Sequence, residues 1–563
     1  MSKMLKASGA MAVATLTSRV LGMVREMVYM RFMGTGWVND AFQLAFMIPN
    51  LFRRLLGEGA LTAAFIPVFK EKEKRQGEQE MWRAANAVIS GVVVVACVIV
   101  AVVMLCVSLA LVYGSPAATS PDAAPMVLTL THPATTNLLA IGPGRVHHWG
   151  PGQFPERTVL MLRLLRVMFP YMVLVCVTAV MMGILNARGH FFIPAMGATM
   201  LNVVMIASVL WLAPRMGHQL PVQIFALAIG VLLAGVAQAG FQLPTMWKDG
   251  FHYQWVSPWK DETVHRVVTQ MLPGTIGVAA FQINVLIVQG AAFMVGTGIV
   301  SSFNGAVRLM ELPQGLFGIS LATYLLPTLA GLAAEKKYPE FRSTLRNGLG
   351  TLIFLNLIAS VLLVALATPI VRLLFERGAF TALSTEHVSY ALMCLAPGLV
   401  MFSTVNILAR AFYALGDTKT PMKISIACLV INFAIACLLL KPFREGGPGI
   451  ANTLTSVVNV GLLVFTLRKK LARLDMEPLK KTFLPLGILA AVGGVIAWEG
   501  WQLWEHQIGH ATLTRKIGAV FAPAILAGSV YVLAAFALKI EAAKELLAFA
   551  LVKFKRQPAG IEN

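Results

Sequence analysis

The chain has 563 residues, 57% of them hydrophobic and only 13% charged. So apolar a balance excludes a water-soluble globular protein and makes a membrane its solvent. The net charge of +20 would suggest nucleic-acid binding in a soluble protein, but here Lys and Arg gather in short connections between apolar stretches. That is the positive-inside pattern, so no nucleic-acid partner is expected.

A membrane-spanning helix needs about 20 mainly apolar residues. In chain order the candidates run over 8–33, 38–68, 85–113, 158–186, 191–213, 220–246, 264–296, 300–333, 347–374, 385–414, 420–441, 447–467, 483–505 and 515–539. The expected fold is therefore an all-α integral membrane protein with fourteen transmembrane helices. The first stretch carries Arg19, Arg25, Glu26 and Arg31 and lacks a small-residue cleavage site, so it reads as a retained helix rather than a signal peptide. With the N-terminus in the cytoplasm, the inner connections collect Lys70, Lys72, Lys74, Arg75 and Arg83, then Lys336, Lys337, Arg342 and Arg346, then Arg468, Lys469, Lys470, Arg473, Lys480 and Lys481. The opposite turns at 34–37 and 296–302 hold no Lys or Arg. Both termini are expected on the cytoplasmic side.

An internal repeat underlies this count. MIPNLFRRLLGEGALTAAFIPVFKEKEK echoes ELPQGLFGISLATYLLPTLAGLAAEKK, pairing Pro49 with Pro313 and Pro67 with Pro327. Farther on, NARGHFFIP matches YALGDTKTP, pairing Ala187, Gly189 and Pro194 with Ala414, Gly416 and Pro421. The expected organisation is an N-lobe over 1–250, with a long outer loop at about 113–157, and a C-lobe over 251–475. Helices thirteen and fourteen with a cytoplasmic tail occupy 476–563. Two six-helix repeats around a central cavity, plus two C-terminal helices, then account for the chain.

An ionisable group at mid-bilayer costs about 2.5 to 3.5 kcal/mol, so it persists where it meets a partner or a water-filled cavity. The first helix carries Arg19 and Glu26 seven residues apart, with Arg25 on an adjoining face. In the second, Asp40 stands near the outer end, Asn50 follows Pro49, and Arg53, Arg54 and Glu58 occupy the inner half. Arg54 and Glu58 have pairing spacing, as do Arg308 and Glu311 in the eighth. Pro49 and Pro313 each break a backbone ladder, which is tolerated where helices line a cavity. Together these residues predict a cationic central chamber in which Arg19, Arg25, Arg53 and Arg308 are partly balanced by Glu26, Asp40 and Glu311. Arginine suits a diphosphate because its planar fork donates two parallel bonds and keeps its charge.

Other features point elsewhere. The six cysteines (Cys97, Cys106, Cys176, Cys394, Cys428 and Cys437) sit in apolar stretches without metal-ligand spacing, so they read as small packing residues. His147 and His148 in the outer loop have no Cys or acidic companions, GTGWVND lacks the strand and Lys of a phosphate loop, and 69–80 is a solvated charged run. No metal, cofactor or catalytic cluster of His, Asp or Ser is expected, which disfavours an enzyme acting on polyprenyl diphosphates.

The stretches TSRVLGMVREMV, NDAFQLAFMIPNLFRRLLGEGALTAAFIPVF, RLMELPQGLFGISLATYLLPTL and ARAFYALGDTKTPMKI resemble, in order and spacing, signature stretches of the MurJ (MviN) family. The resemblance covers nearly the whole chain. It implies the fold of the multidrug/oligosaccharidyl-lipid/polysaccharide exporter superfamily, with two lobes alternating between inward-open and outward-open states. It also implies the activity of flipping lipid II, the undecaprenyl-diphosphate-linked disaccharide pentapeptide of peptidoglycan synthesis, across the bacterial inner membrane. Membrane lipids and the cell-wall synthesis machinery are the implied partners. The alternative is another exporter of the superfamily, a polysaccharide-lipid flippase or a drug/cation antiporter; an antiporter would favour acids over arginines in the chamber. By position the family's essential residues fall on Arg19, Arg25, Asp40, Arg53, Glu58, Arg308 and Glu311, and its extra helix pair, implied to form a groove for the polyprenyl tail, on helices thirteen and fourteen. The chain departs from the family at Met47, often a Lys, and at Val307, where an acid can precede the arginine.

Overall fold

The computed structural model describes residues 3–57, 60–114, 154–471 and 477–543. Glu58, its expected pairing with Arg54, and most of the 113–157 connection with His147 and His148 lie outside the described residues. Within them every regular element is helical. A bilayer imposes this, because an open strand edge would leave backbone groups unsatisfied in hydrocarbon.

The first half comprises α1 (Lys3–Met33), α2 (Trp37–Phe52), α3 (Ala60–Gln76), α4 (Glu78–Gly114), α5 (Glu156–Met168), α6 (Tyr171–Ala187), α7 (Phe192–Ala207) and α8 (Leu220–Lys248). The second comprises α9 (Glu262–Val295), α10 (Ile299–Pro313), α11 (Ser320–Ala334), α12 (Tyr338–Ala365), α13 (Ala367–Phe375), α14 (Ala382–Leu395), α15 (Leu399–Ala414), α16 (Lys419–Phe443) and α17 (Gly447–Lys470). The pair α18 (Glu477–Gln507) and α19 (Leu513–Ala537) follows.

Each of the fourteen expected stretches falls on helix, but five are broken in two, and proline explains where. Its ring removes a donor and crowds the carbonyl four residues back. Pro170 separates α5 from α6 with a 46° bend; Pro369 stands four residues beyond Ala365, where α12 ends; Pro397 lies in the 3-10 turn between α14 and α15. By length and hydropathy, ten helical runs among the described residues are apolar enough to cross a membrane, or eleven with the bent α5–α6 pair. The run Lys419–Lys470 counts once there, although α16 and α17 pack along one another as a hairpin.

The repeat is visible in the backbone. Pro49 of α2 is followed by a π-helical turn at Arg53–Gly57, and Pro313 of α10 by one at Gln314–Ile319. In both halves the proline interrupts the i→i−4 ladder and the register slips before α3 or α11 resumes, placing a widened turn at the same point of each half.

The first-half core gathers Phe42, Phe169, Tyr171 and Val231, and the second-half core Phe375, Phe380, Val388 and Leu399. The terminal pair packs on α12, where Tyr531 of α19 lies 5.0 Å from the Phe354 ring and donates to its carbonyl at 3.0 Å. The outward face of α4 exposes Val98, Leu105 and Val112, as a lipid-facing helix does. Cys97, Cys106 and Cys437 are exposed, while Cys176 and Cys428 are buried. The expectation that all six are packing residues is therefore corrected: three face outward, where a thiol behaves as another small apolar group.

Candidate functional site

The described residues enclose two adjoining cavities between the halves, of about 860 Å³ and about 680 Å³. Arg25, Phe46, Asn50, Arg54, Arg308, Glu311 and Gln314 line both, so they form one divided cleft.

The smaller chamber is cationic. Arg19 and Arg25 from α1, Arg53 and Arg54 from the turn after α2, and Arg308 from α10 line it, with Glu311 the only acid among its lining residues. Arg25 donates to Asn202 of α7 at 3.1 Å, lies 3.6 Å from Glu26, and sits 5.3 Å over the Tyr29 ring. Its Nε is buried without a hydrogen-bond partner among the described residues. Arg308 donates to Glu311 at 2.7 Å and approaches Glu26 at 3.9 Å, so the buried Glu26 carboxylate stands between guanidinium groups from opposite halves. Arg53 donates to Asn50 at 2.7 Å, and Arg54 reaches Gln282 of α9 at 3.4 Å. Five arginines against one lining acid, with Glu26 behind them, leave a surplus of positive charge suited to an anion.

Arg19 meets the opposite half. A Cβ placed on Gly315 would fall 1.8 Å from its Nη1, so the guanidinium rests in the notch that this glycine leaves in the second π-helical turn. Pro49 and Pro313 line neither chamber; their neighbours Asn50 and Gln314 line both.

Asp40 is placed differently from the expectation that it balances the chamber. Its buried carboxylate accepts the backbone N–H of Gly298 at 2.5 Å and of Ser301 at 2.8 Å, and it lines neither cavity. The exposed donors at the start of α10 draw it there, as they draw any N-capping acid. Around it the α1–α2 end of the cleft is sealed between halves. Thr35 bonds Ser384 at 2.7 Å, Ala379 donates to the Arg31 carbonyl at 2.8 Å, and Asn304 donates to Gln43 at 2.5 Å. Gly34 has φ +59°, and a Cβ on it would stand 2.5 Å from the Ala379 carbonyl oxygen, so both the turn and the contact require glycine.

Apart from Asn50, the neutral amides and hydroxyls that line the larger chamber were not singled out from the sequence. Asn202, Gln238 and Gln242 add amides to the cationic side, while Asn284, Asn406, Asn432 and Asn452 line the wall built by α9, α15, α16 and α17. The available signal was an amide in an apolar run, as at Asn432 in LVINFAIA.

Comparison with known proteins fits this geometry. The family model described as lipid II flippase MurJ matches residues 29–136 and 127–518. The chain belongs to the MurJ family. It is 33% identical to a Vibrio cholerae protein named "Probable lipid II flippase MurJ" over 528 residues, covering 92% of this chain and 94% of that one. It is 32% identical to the Burkholderia cenocepacia "Lipid II flippase MurJ", covering 81% and 82%. A solved structure titled "Lipid II flippase MurJ, inward closed conformation" superposes with TM-score 0.68 at 20% identity, covering 92% of this chain and 98% of that one. An inward-facing multidrug MATE transporter superposes at 0.59 with 13% identity, which shows the shared fold alone. Met47 and Val307 line the larger chamber.

Proposed function

We propose that the protein flips lipid II from the inner to the outer leaflet of the bacterial cytoplasmic membrane by alternating access. The observation that carries this reading is the convergence of Arg25 and Arg308, from opposite halves, on one cavity and on Glu26. Permanent charges at this depth are costly unless something anionic passes them. In this reading the fourteen helices form two six-helix lobes, 1–250 and 251–475, with both termini cytoplasmic and 476–563 as the added pair and tail.

The diphosphate enters the cationic chamber and takes up donors of Arg19, Arg25, Arg53 and Arg308; Arg54 and Asn50 stand at the junction with the larger chamber. Glu26 and Glu311 keep the guanidiniums placed and limit the net charge, so the head group can leave as well as bind. Opening the outer end requires release of Asp40 from α10 and separation of Thr35 from Ser384; Glu58 and the Pro49 and Pro313 turns are assigned to the gating movement. No bond is made or broken. Membrane potential can drive a step that moves charge, at about 2.3 kcal/mol per elementary charge per 100 mV. An antiporter of the same superfamily would favour an acidic chamber, and this one is basic.

The test is depletion in cells with no second flippase, followed by an assay of lipid II accessible at the outer face. Loss of exposure on depletion is expected; unchanged exposure removes the assignment.

A further inference from the structure

Several hydroxyls in the apolar helices of this protein donate to their own helix. Thr178, Ser208, Thr404 and Thr466 each bond the carbonyl four residues back at 2.7 to 2.8 Å, the usual way to satisfy a hydroxyl without water. Ser425 of α16 and Ser456 of α17 do not, and unlike the unpartnered hydroxyls of Ser302, Ser389 and Ser403 they face a cavity. Both line the larger chamber, and neither hydroxyl has a hydrogen bond to another group among the described residues. Ser425 stands two turns before Asn432 on the same face of α16. Asn432 in turn donates to Asn452 at 2.8 Å across the hairpin. A continuous strip of amides and open hydroxyls thus runs down this wall.

Two half-exposed rings flank the strip: Phe281 of α9, 50% exposed, and Tyr413 of α15, 47% exposed, both lining the chamber. The part of the lining contributed by α15, α16 and α17 contains no charged residue. Neutral donors and acceptors beside flat apolar faces match a saccharide, whose hydroxyls and N-acyl amide need both kinds of partner and whose C–H faces pack on rings. A peptide's carboxylates would find no cation among the lining residues of α15, α16 and α17, the arginines of this chamber standing on the opposite side.

We infer that this wall, centred on Ser425, Ser456 and Tyr413, is the saccharide subsite of the head group, distinct from the arginine chamber that takes its diphosphate. The inference rests on the flippase reading and deepens it. The two chambers then divide the head group by chemistry: charge on the α1 side, hydroxyl and amide on the α16–α17 side, joined at Arg25, Arg54 and Arg308.

The test uses the full-length protein in lipid nanodiscs and measures affinity for three probes: bare undecaprenyl diphosphate, the same lipid carrying only its N-acetylated disaccharide, and the complete disaccharide pentapeptide. The wild type should bind the disaccharide lipid about tenfold more tightly than the bare lipid. S425A/S456A should lose about 5- to 20-fold of its affinity for both sugar-bearing lipids, as expected for two hydrogen bonds. Its affinity for the bare diphosphate should stay within about twofold, and Y413A should follow the same pattern. R25A, as a control, should weaken all three probes alike. Elution as a folded monodisperse species and retained bare-lipid binding separate the effect from misfolding. Equal loss on all three probes, no loss, or a loss that appears only when the peptide is attached would each overturn the subsite. If the wild type binds none of the three, the flippase reading itself fails; if it binds all three equally, only the subsite does.

Discussion

The carboxylate of Asp40 accepts the backbone N–H of Ser301 at 2.8 Å, joining α2 of the first half to the start of α10 in the second. Because the same group also takes the Gly298 N–H, one side chain caps a helix of the opposite half. Losing an N-cap costs about 0.5 to 2 kcal/mol. D40A should therefore loosen this end of the cleft by a few-fold to about thirtyfold. In a background without the native cysteines, T35C should react correspondingly faster with a membrane-impermeant maleimide when D40A is added. An unchanged rate would show that the cap does not hold the end closed.

Arg19 and Gly315 form a second relationship between halves, and it is steric. G315A must displace the guanidinium, since its Cβ would overlap Nη1. Transport should fall to about the level of R19A, and the double variant should be no worse than either alone, the signature of two residues acting through one contact. Additive losses would separate them.

Arg308 shares its guanidinium between Glu311 at 2.7 Å and Glu26 at 3.9 Å. A lysine keeps the charge but lacks the planar fork. R308K should fold normally and transport at least about tenfold more slowly, measured as recovery of outer-face lipid II after depletion of a resident flippase. Wild-type recovery would mean that charge alone suffices there.

At the α15–α16 turn, Asp417 is held down to about 2, first by its bond from Lys470 and then by the Thr420 backbone N–H. A depressed carboxylate pKa adds stability above its unfolded value of about 3.9 and loses it as pH falls through the folded value. The melting-temperature gap between wild type and D417N should stay constant from about pH 8 to about pH 5 and narrow below about pH 4. A gap that widened in acid would contradict the sign.

The arginine set was legible because each charge lay inside an otherwise apolar helix, where only a partner or a cavity keeps it. The repeat was legible from Pro49 and Pro313, whose physical consequence, the paired π-helical turns, needed the backbone to appear. Asp40 was legible as an intramembrane acid, expected to balance the chamber, but not as a cap, because its partner Ser301 lies in the other half of the chain. The neutral wall was legible only as isolated amides in apolar runs: a single Asn or Ser in a helix is cheap and aperiodic, and only the folding of α16 against α17 brings Asn432, Asn452 and Ser456 onto one face. Helix breaks at Pro170 and Pro369 were foreseeable from proline chemistry, yet hydropathy averaged over a span hides them.

The most direct measurement takes R25A, R53A and R308A separately into cells depleted of their own flippase and scores lipid II accessible to a membrane-impermeant degrading enzyme, with each variant's membrane level checked in parallel. The account predicts wild-type abundance and little or no accessible lipid II for each of the three. Full accessibility with all three variants would mean that the guanidiniums only brace the helices, and the anionic path between the halves would have to be given up.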